Sequence, residues 1–160
     1  MRHARQLRSD RPLLKLIERR AGGAFYWGIL LGCLACTSIS VQPLELSPRP
    51  THVCIEENPK VIVSDFVSVL EDGIRRNGMT SELFSGARPE HCRLILTYTA
   101  LRSWDFAPYL SKAELWLNQD GKQVAYADYH LIGKGGYSFL KWQSTKTKMD
   151  PVIDQLLGGE

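Results

Sequence analysis

The pair Asp120-Gly121 constrains the fold of this chain more than any other local feature. It lies between two segments of strand length, residues 109–119 and residues 122–132. An Asp-Gly pair favours a type I′ turn, because that turn needs positive φ at both central residues and joins neighbouring antiparallel strands. The sequence therefore predicts a β-hairpin in the second half of the chain.

Further segments predict strands at residues 52–56, 80–84 and 92–101. A helix is predicted from an N-cap at Ser64, since apolar residues recur at spacings of three and four until Asn77-Gly78 ends the pattern. The C-terminal Thr147-x-x-Asp150 is typical of a capping box and predicts a second helix. The order β-α-β-β-β-β-α indicates an α+β fold, a mostly antiparallel sheet with two helices packed on one face.

The N-terminus has the order of a bacterial export signal. Residues 1–32 hold seven of the 20 basic and two of the 17 acidic residues, and an apolar stretch from residue 22 ends at Cys33 and Cys36. Basic, apolar and small residues in this order are typical of a signal peptide, and a cysteine at the cut resembles a lipobox. The apolar stretch of about 15 residues is shorter than the ~20 that span a bilayer. We expect a lipid anchor on the cysteine, diacylglycerol with palmitate; the alternative is an ordinary signal peptide and a soluble periplasmic protein.

Either cysteine can begin the mature chain. The signal peptide covers residues 1–32 if cleavage precedes Cys33, which has Leu30 three residues before it and Gly32 directly before it. It covers residues 1–35 if cleavage precedes Cys36. The remaining chain carries a net charge of −2, so the basic pI belongs to the export signal and predicts no nucleic-acid partner.

Residues 37–50 follow the signal and contain three prolines and three serines. This composition disfavours a helix and predicts a flexible tether between the anchor and a single globular domain at residues 51–160. An edge strand through residues 39–46 is the alternative.

Two further cysteines, Cys54 and Cys92, lie at or near predicted strands. An oxidising compartment favours a disulfide between them. Together with His52 and His91 they are also a possible zinc set. Because His91 and Cys92 are adjacent on a predicted strand, their side chains should point to opposite faces. We therefore expect a disulfide and no metal, with free buried thiols as the alternative. We also expect no cofactor.

From residue 52 onward the chain resembles a family of small proteobacterial lipoproteins of unknown function. The matching stretches are residues 52–59 (HVCIEENP), 96–109 (LTYTALRSWDFAPY), 133–136 (GKGG), 141–142 (KW) and 145–152 (TKTKMDPV). The resemblance implies a bacterial envelope lipoprotein and brings no catalytic residues. In such lipoproteins Cys-Thr-Ser commonly begins the mature chain, which favours Cys36 over Cys33.

One connection is a candidate binding patch. Trp104, Asp105, Phe106 and Tyr109 combine aromatic side chains with a charge, and aromatic residues offer large, rigid contact areas. In the alternative interpretation, Trp104 and Phe106 fold back as a lid on the core. The glycine-rich residues 133–136 lack the order of a phosphate-binding loop and predict a flexible turn. Three lysines near Trp142 predict a solvated face or contacts with headgroups or glycan: Lys141, Lys146 and Lys148.

The sequence contains no Gly-x-Ser-x-Gly and no His-Glu-x-x-His motif, and we expect no enzyme activity and no catalytic residues. Two functions remain. The first is a non-catalytic binding or assembly module with an envelope protein as partner. The second is a carrier of a small apolar ligand or lipid, held between helices and sheet. Since the residue after either cysteine is not Asp, we expect the outer membrane, with the domain facing the periplasm.

Overall fold

A six-stranded sheet with two α-helices is the architecture of residues 37–132 and 139–158, which the computed structural model describes. In chain order its elements are β1 (Thr37–Gln42), β2 (His52–Glu56), α1 (Phe66–Arg76), β3 (Thr80–Phe84), β4 (Leu94–Asp105), β5 (Ala107–Gln119), β6 (Lys122–Leu131), a short 3₁₀ helix (Phe139–Trp142) and α2 (Thr145–Leu156). The strands lie in the order β1-β6-β5-β4-β2-β3. The prediction of an α+β fold with a mostly antiparallel sheet is confirmed.

The predicted turn joins β5 to β6. Asp120 has φ 51° and Gly121 has φ 79°, the positive values that the type I′ turn needs. The pairs β4–β5, β5–β6 and β1–β6 are antiparallel, whereas β2 runs parallel to both β3 and β4. The helix α1 makes the crossover between β2 and β3, as parallel neighbours require.

Both helices cover the same face of the sheet. Alternate residues of β4, β5 and β6 point into one core, and the apolar faces of α1 and α2 close it. Side chains less than 2% exposed fill the space between helices and sheet, among them Phe66, Leu70, Ile74, Leu115, Leu117, Met149, Val152 and Leu156.

The predicted tether is wrong for residues 37–42, and the alternative of an edge strand is nearer to the structure, although the strand covers residues 37–42 and not 39–46. Residues 37–42 form β1, which pairs with β6 from Thr37↔Leu131 to Gln42↔Tyr126. Further along, the backbone N–H of Leu44 donates to the carbonyl oxygen of Leu156 at 2.8 Å, and Arg49 Nη2 donates to the carbonyl oxygen of Leu157 at 2.9 Å. The edge of β6 and the last carbonyls of α2 both need hydrogen-bond partners, and this segment supplies them.

Several predicted boundaries also shift; β4 extends to Asp105 and β5 begins at Ala107, so most of the predicted connection at residues 102–108 is strand. The helix α1 has its N-cap at Asp65, one residue after Ser64. The helix α2 has its N-cap at Ser144, whose side chain accepts from the backbone N–H of Thr147 at 3.1 Å, so Thr147 belongs to the first turn and is not the cap. β4 begins at Leu94, two residues after the predicted start.

The predicted signal peptide, both candidate lipidation residues Cys33 and Cys36, and the glycine-rich residues 133–136 lie outside the described residues. Among the residues that are described, no helix is long and apolar enough to cross a bilayer.

Candidate functional site

The tip of the β4–β5 hairpin, residues 102–110, carries the predicted aromatic patch. A register shift between Leu101 and Arg102 interrupts the β4–β5 pairing, and Ser111 Oγ donates to the carbonyl oxygen of Leu101 across it at 3.0 Å. Bulges of this kind bend and twist a strand pair and redirect the side chains beyond them. Beyond the bulge Trp104 pairs with Pro108, and Phe106 is the single residue between the strands.

The tip presents its two large aromatic side chains to solvent. Trp104 is 74% exposed and Phe106 is 77% exposed, so neither covers the core, and the lid interpretation is wrong. Phe106 has φ 59°, a left-handed conformation that is strained for a residue with a β-carbon. Tyr109 lies at the base of the tip, half-buried against the core. Only two of the three predicted aromatic residues therefore belong to the exposed surface.

Contacts from the 3₁₀ helix brace the tip. Lys141 Nζ lies 3.0 Å from Asp105 Oδ2, and Trp142 Nε1 donates to the carbonyl oxygen of Asp105 at 2.9 Å. The rings of Phe106 and Trp142 meet edge to face with centroids 6.5 Å apart. Asp105 thus acts as the anchor that fixes the tip, and its carboxylate is already paired.

The predicted lysine cluster is not a surface cluster, since Lys141 and Lys148 are only 3% and 4% exposed. Lys148 Nζ donates to the carbonyl oxygens of Leu110 at 3.0 Å and Lys141 at 2.6 Å, and lies 5.4 Å from the ring centroid of Tyr109. Burial lowers the pKa of Lys148 to about 8. The Lys148 ammonium joins the backbone of β5 to that of the 3₁₀ helix, the Lys141 ammonium holds the Asp105 carboxylate, and neither is available to headgroups or glycan.

A second cluster lies on the sheet face opposite the helices. A disulfide joins Cys54 of β2 to Cys92, which lies in the connection before β4, and both residues are fully buried. The adjacent residue His91 is also outside the strand, in a turn. The alternation rule for strands does not apply there, so the argument that set His91 apart from the cysteines is wrong.

His91 meets two side chains from the β2–β3 edge. Its Nε2 lies 2.8 Å from Glu82 Oε2, and His52 Nε2 lies 3.9 Å from the same oxygen and 3.6 Å from Cys54 Sγ. The ligand atoms of these four residues all lie within 4.8 Å of one another. Glu82 was not among the predicted site residues. Only the parallel register of β2 and β3, which pairs Cys54 with Glu82, brings it to this cluster.

Comparison with known proteins supports the fold. No family model and no curated protein matches the chain. Among solved structures, the PelC dodecamer from Paraburkholderia phytofirmans superposes with a TM-score of 0.50 at 12% identity, over 74% of this chain and 98% of that one. A variant of the same protein gives 0.49 at 13% identity over the same shares. A minor lipoprotein from Acinetobacter baumannii gives 0.29 at 14% identity, over 66% of this chain and 85% of that one.

Proposed function

We propose that the protein is a lipid-anchored lipoprotein of the outer membrane, facing the periplasm, and that it is a non-catalytic module that docks on another protein through its hairpin tip. The proposal rests on the exposure of Trp104 and Phe106 on a segment that Asp105 holds in place. Tryptophan is among the residues that contribute most to binding free energy at protein interfaces. A braced tip also loses little conformational entropy when a partner binds.

A protein partner fits this tip better than a lipid surface does. Interfacial binding to anionic lipids needs cations beside the apolar residues. Within the tip, residues 102–110, Arg102 is the one exposed cation, and the nearby Lys141 and Lys148 are directed inward and bonded to protein oxygens, so the tip lacks the cluster of cations that this binding needs. Pro108, opposite Trp104, is exposed and extends the apolar surface.

The lipid anchor is part of the same proposal, and the position of β1 bears on how far the anchor holds the domain from the membrane. If Cys36 carries the lipid, β1 begins at the next residue, Thr37, and no tether separates the lipid from the sheet. We therefore infer that the domain lies close to the membrane surface, where its tip meets a partner in the same membrane. The intact mass of the membrane-fraction protein tests the anchor, because cleavage before Cys33 or Cys36 plus acyl chains gives two different masses.

A photocrosslinking residue at Ala107, the exposed position directly after Phe106, tests the docking in cells. We expect a discrete crosslinked species, lost with Trp104→Ala and Phe106→Gly but kept with Ile62→Ala, which removes an exposed apolar side chain elsewhere. A crosslinked species of twice the chain mass means that copies of the chain bind one another. This outcome is relevant because the similar PelC structure is a dodecamer. No crosslinked species, or Trp104-dependent binding of the unacylated chain to lipid vesicles instead, contradicts the proposal.

The carrier hypothesis has less support. A carrier needs a cavity between helices and sheet, whereas fully buried apolar side chains fill that space in the described residues. Organic extraction of the purified protein checks it: a carrier releases lipid that is not covalently bound, in proportion to the protein.

A further inference from the structure

We propose that His52, Glu82 and His91 form a binding site for a divalent transition-metal ion, with the chemistry that Zn²⁺ prefers. Two imidazoles and one carboxylate make a ligand set that zinc takes up in proteins, with water at the fourth position. The proposal is independent of the docking function, since the site lies on the sheet face opposite the helices and involves no residue of the hairpin tip.

The strand register places the first two ligands. β2 and β3 are parallel, with His52 opposite Thr80 and Cys54 opposite Glu82. Because side chains alternate along a strand, all four of these side chains share one face. Val53 and Ile55 point the other way, into the core.

Hydrogen bonds select the tautomer of His52. The Thr80 hydroxyl donates its only proton to the carbonyl oxygen of Thr51 at 3.1 Å, and it lies 2.8 Å from His52 Nδ1. That hydroxyl therefore accepts from Nδ1–H. In the neutral ring Nε2 then carries a lone pair and faces the Glu82 carboxylate. Two acceptors that face each other need a proton or a cation between them, and a second hydrogen bond that fixes a histidine ring is typical of metal ligands.

The distances are close to those of a bound metal. Zinc bonds of about 2.0–2.2 Å in a tetrahedron separate the ligand atoms by about 3.3 Å. The observed separations from Glu82 Oε2, 2.8 Å to His91 Nε2 and 3.9 Å to His52 Nε2, lie on either side of that value. Small side-chain rotations therefore suffice for coordination.

The disulfide determines which atoms are ligands. Its formation leaves Cys54 without a thiolate, so the site has two nitrogens and one oxygen. It also fixes Cys92 against β2, and Arg88 Nε donates to the Cys92 carbonyl oxygen at 2.7 Å, so the connection that carries His91 is held over the site. An open groove of about 400 Å³, lined by His52 and His91, gives the ion access from solvent.

Metal titration of the full-length chain with Cys33→Ser and Cys36→Ser, in mild detergent and after treatment with a chelator, tests the proposal; these two changes leave only the disulfide cysteines, and this chain serves as the wild type of the series. We expect one Zn²⁺ per chain at about pH 7.5. The affinity should fall by more than about tenfold in His52→Ala, His91→Ala and Glu82→Gln, because each loses a ligand atom. Glu82→Gln keeps an oxygen that can accept from His91, so it separates ligation from hydrogen bonding. His130→Ala, which removes an exposed histidine of β6, should bind as the wild type does.

Two further measurements complete the test. Thr80→Val should weaken binding by about 10–100-fold, since the ring of His52 loses its acceptor. Co²⁺ should give the visible absorption of a four-coordinate site without the intense band of a cobalt–thiolate bond. The site is refuted if the wild type binds no Zn²⁺, if the three ligand variants bind it unchanged, or if the thiolate band appears. Thermal unfolding of each metal-free variant checks that it is folded.

Discussion

Removal of the Cys54–Cys92 disulfide should lower the free energy of unfolding by an amount that follows from the length of the loop it closes. The two residues are 38 positions apart, so the bond closes a long loop in the unfolded chain. In the chain-entropy model, a loop of this length lowers the entropy of the unfolded state by about 13 cal/mol/K, or about 4 kcal/mol at about 25 °C. Because a domain of this size has a free energy of unfolding of about 5–15 kcal/mol, the double variant Cys54→Ala/Cys92→Ala should lose a large fraction of its stability.

Urea unfolding followed by tryptophan fluorescence measures this loss, because Trp116 and Trp142 both lie in the folded domain. The dependence on urea should become steeper in the double variant, since an unfolded chain without the cross-link exposes more surface. A reducing agent should destabilise the wild type by a similar amount and leave the double variant unchanged. The reasoning is refuted if the loss is below about 1 kcal/mol while the mass of the wild type shows an intact bond.

Three further changes test the packing and electrostatics. A β-carbon on Gly73 would lie 2.6 Å from Ile153 Cγ2, so Gly73→Ala should destabilise the α1–α2 contact by about 1–3 kcal/mol in urea unfolding, and the same change should cost less in an Ile153→Ala background, which lacks Cγ2. Because burial lowers the pKa of Lys148 from 10.5 to about 8, the unfolded chain binds the extra proton between those values, and the free energy of unfolding should rise with pH. The rise is about 2 kcal/mol from about pH 7.5 to about pH 9.5, and Lys148→Met should remove it; an equal slope in both proteins contradicts the assignment. Phe106→Gly should change the free energy of unfolding by less than about 1 kcal/mol, because the relief of strain at positive φ offsets the lost edge-to-face contact with Trp142, and a larger change in either direction contradicts this.

Local chemistry allowed much of the fold to be predicted. The Asp120-Gly121 turn needs only its own residues to adopt positive φ, and its prediction is confirmed. The period of apolar residues in α1 likewise depends on neighbours within two turns of helix. These features can be recognised without any knowledge of what packs against them.

The parts that sequence analysis missed depend on partners distant in the chain. Residues 37–42 form β1 because β6, about 90 residues away, offers an unpaired edge, and proline and serine content alone pointed to a tether. The lysines of the last third suggested a solvated surface, whereas Lys148 is directed to the carbonyl oxygens of β5 and the 3₁₀ helix. Burial of a charged group follows from tertiary packing and has no local pattern.

The same distinction between local and distant determinants applies to the two candidate sites. By itself the sequence determined which residues carry the chemistry: an aromatic patch around Trp104, two cysteines for one bond, and histidines beside them. Only the tertiary structure decided that Trp104 and Phe106 face solvent, since the bulge and the contacts to Asp105 set the direction of the tip. It also decided that Glu82 meets both histidines. The physical reason is that turns and helical periods depend on a few adjacent residues, whereas strand register and side-chain direction depend on the packing of the whole sheet.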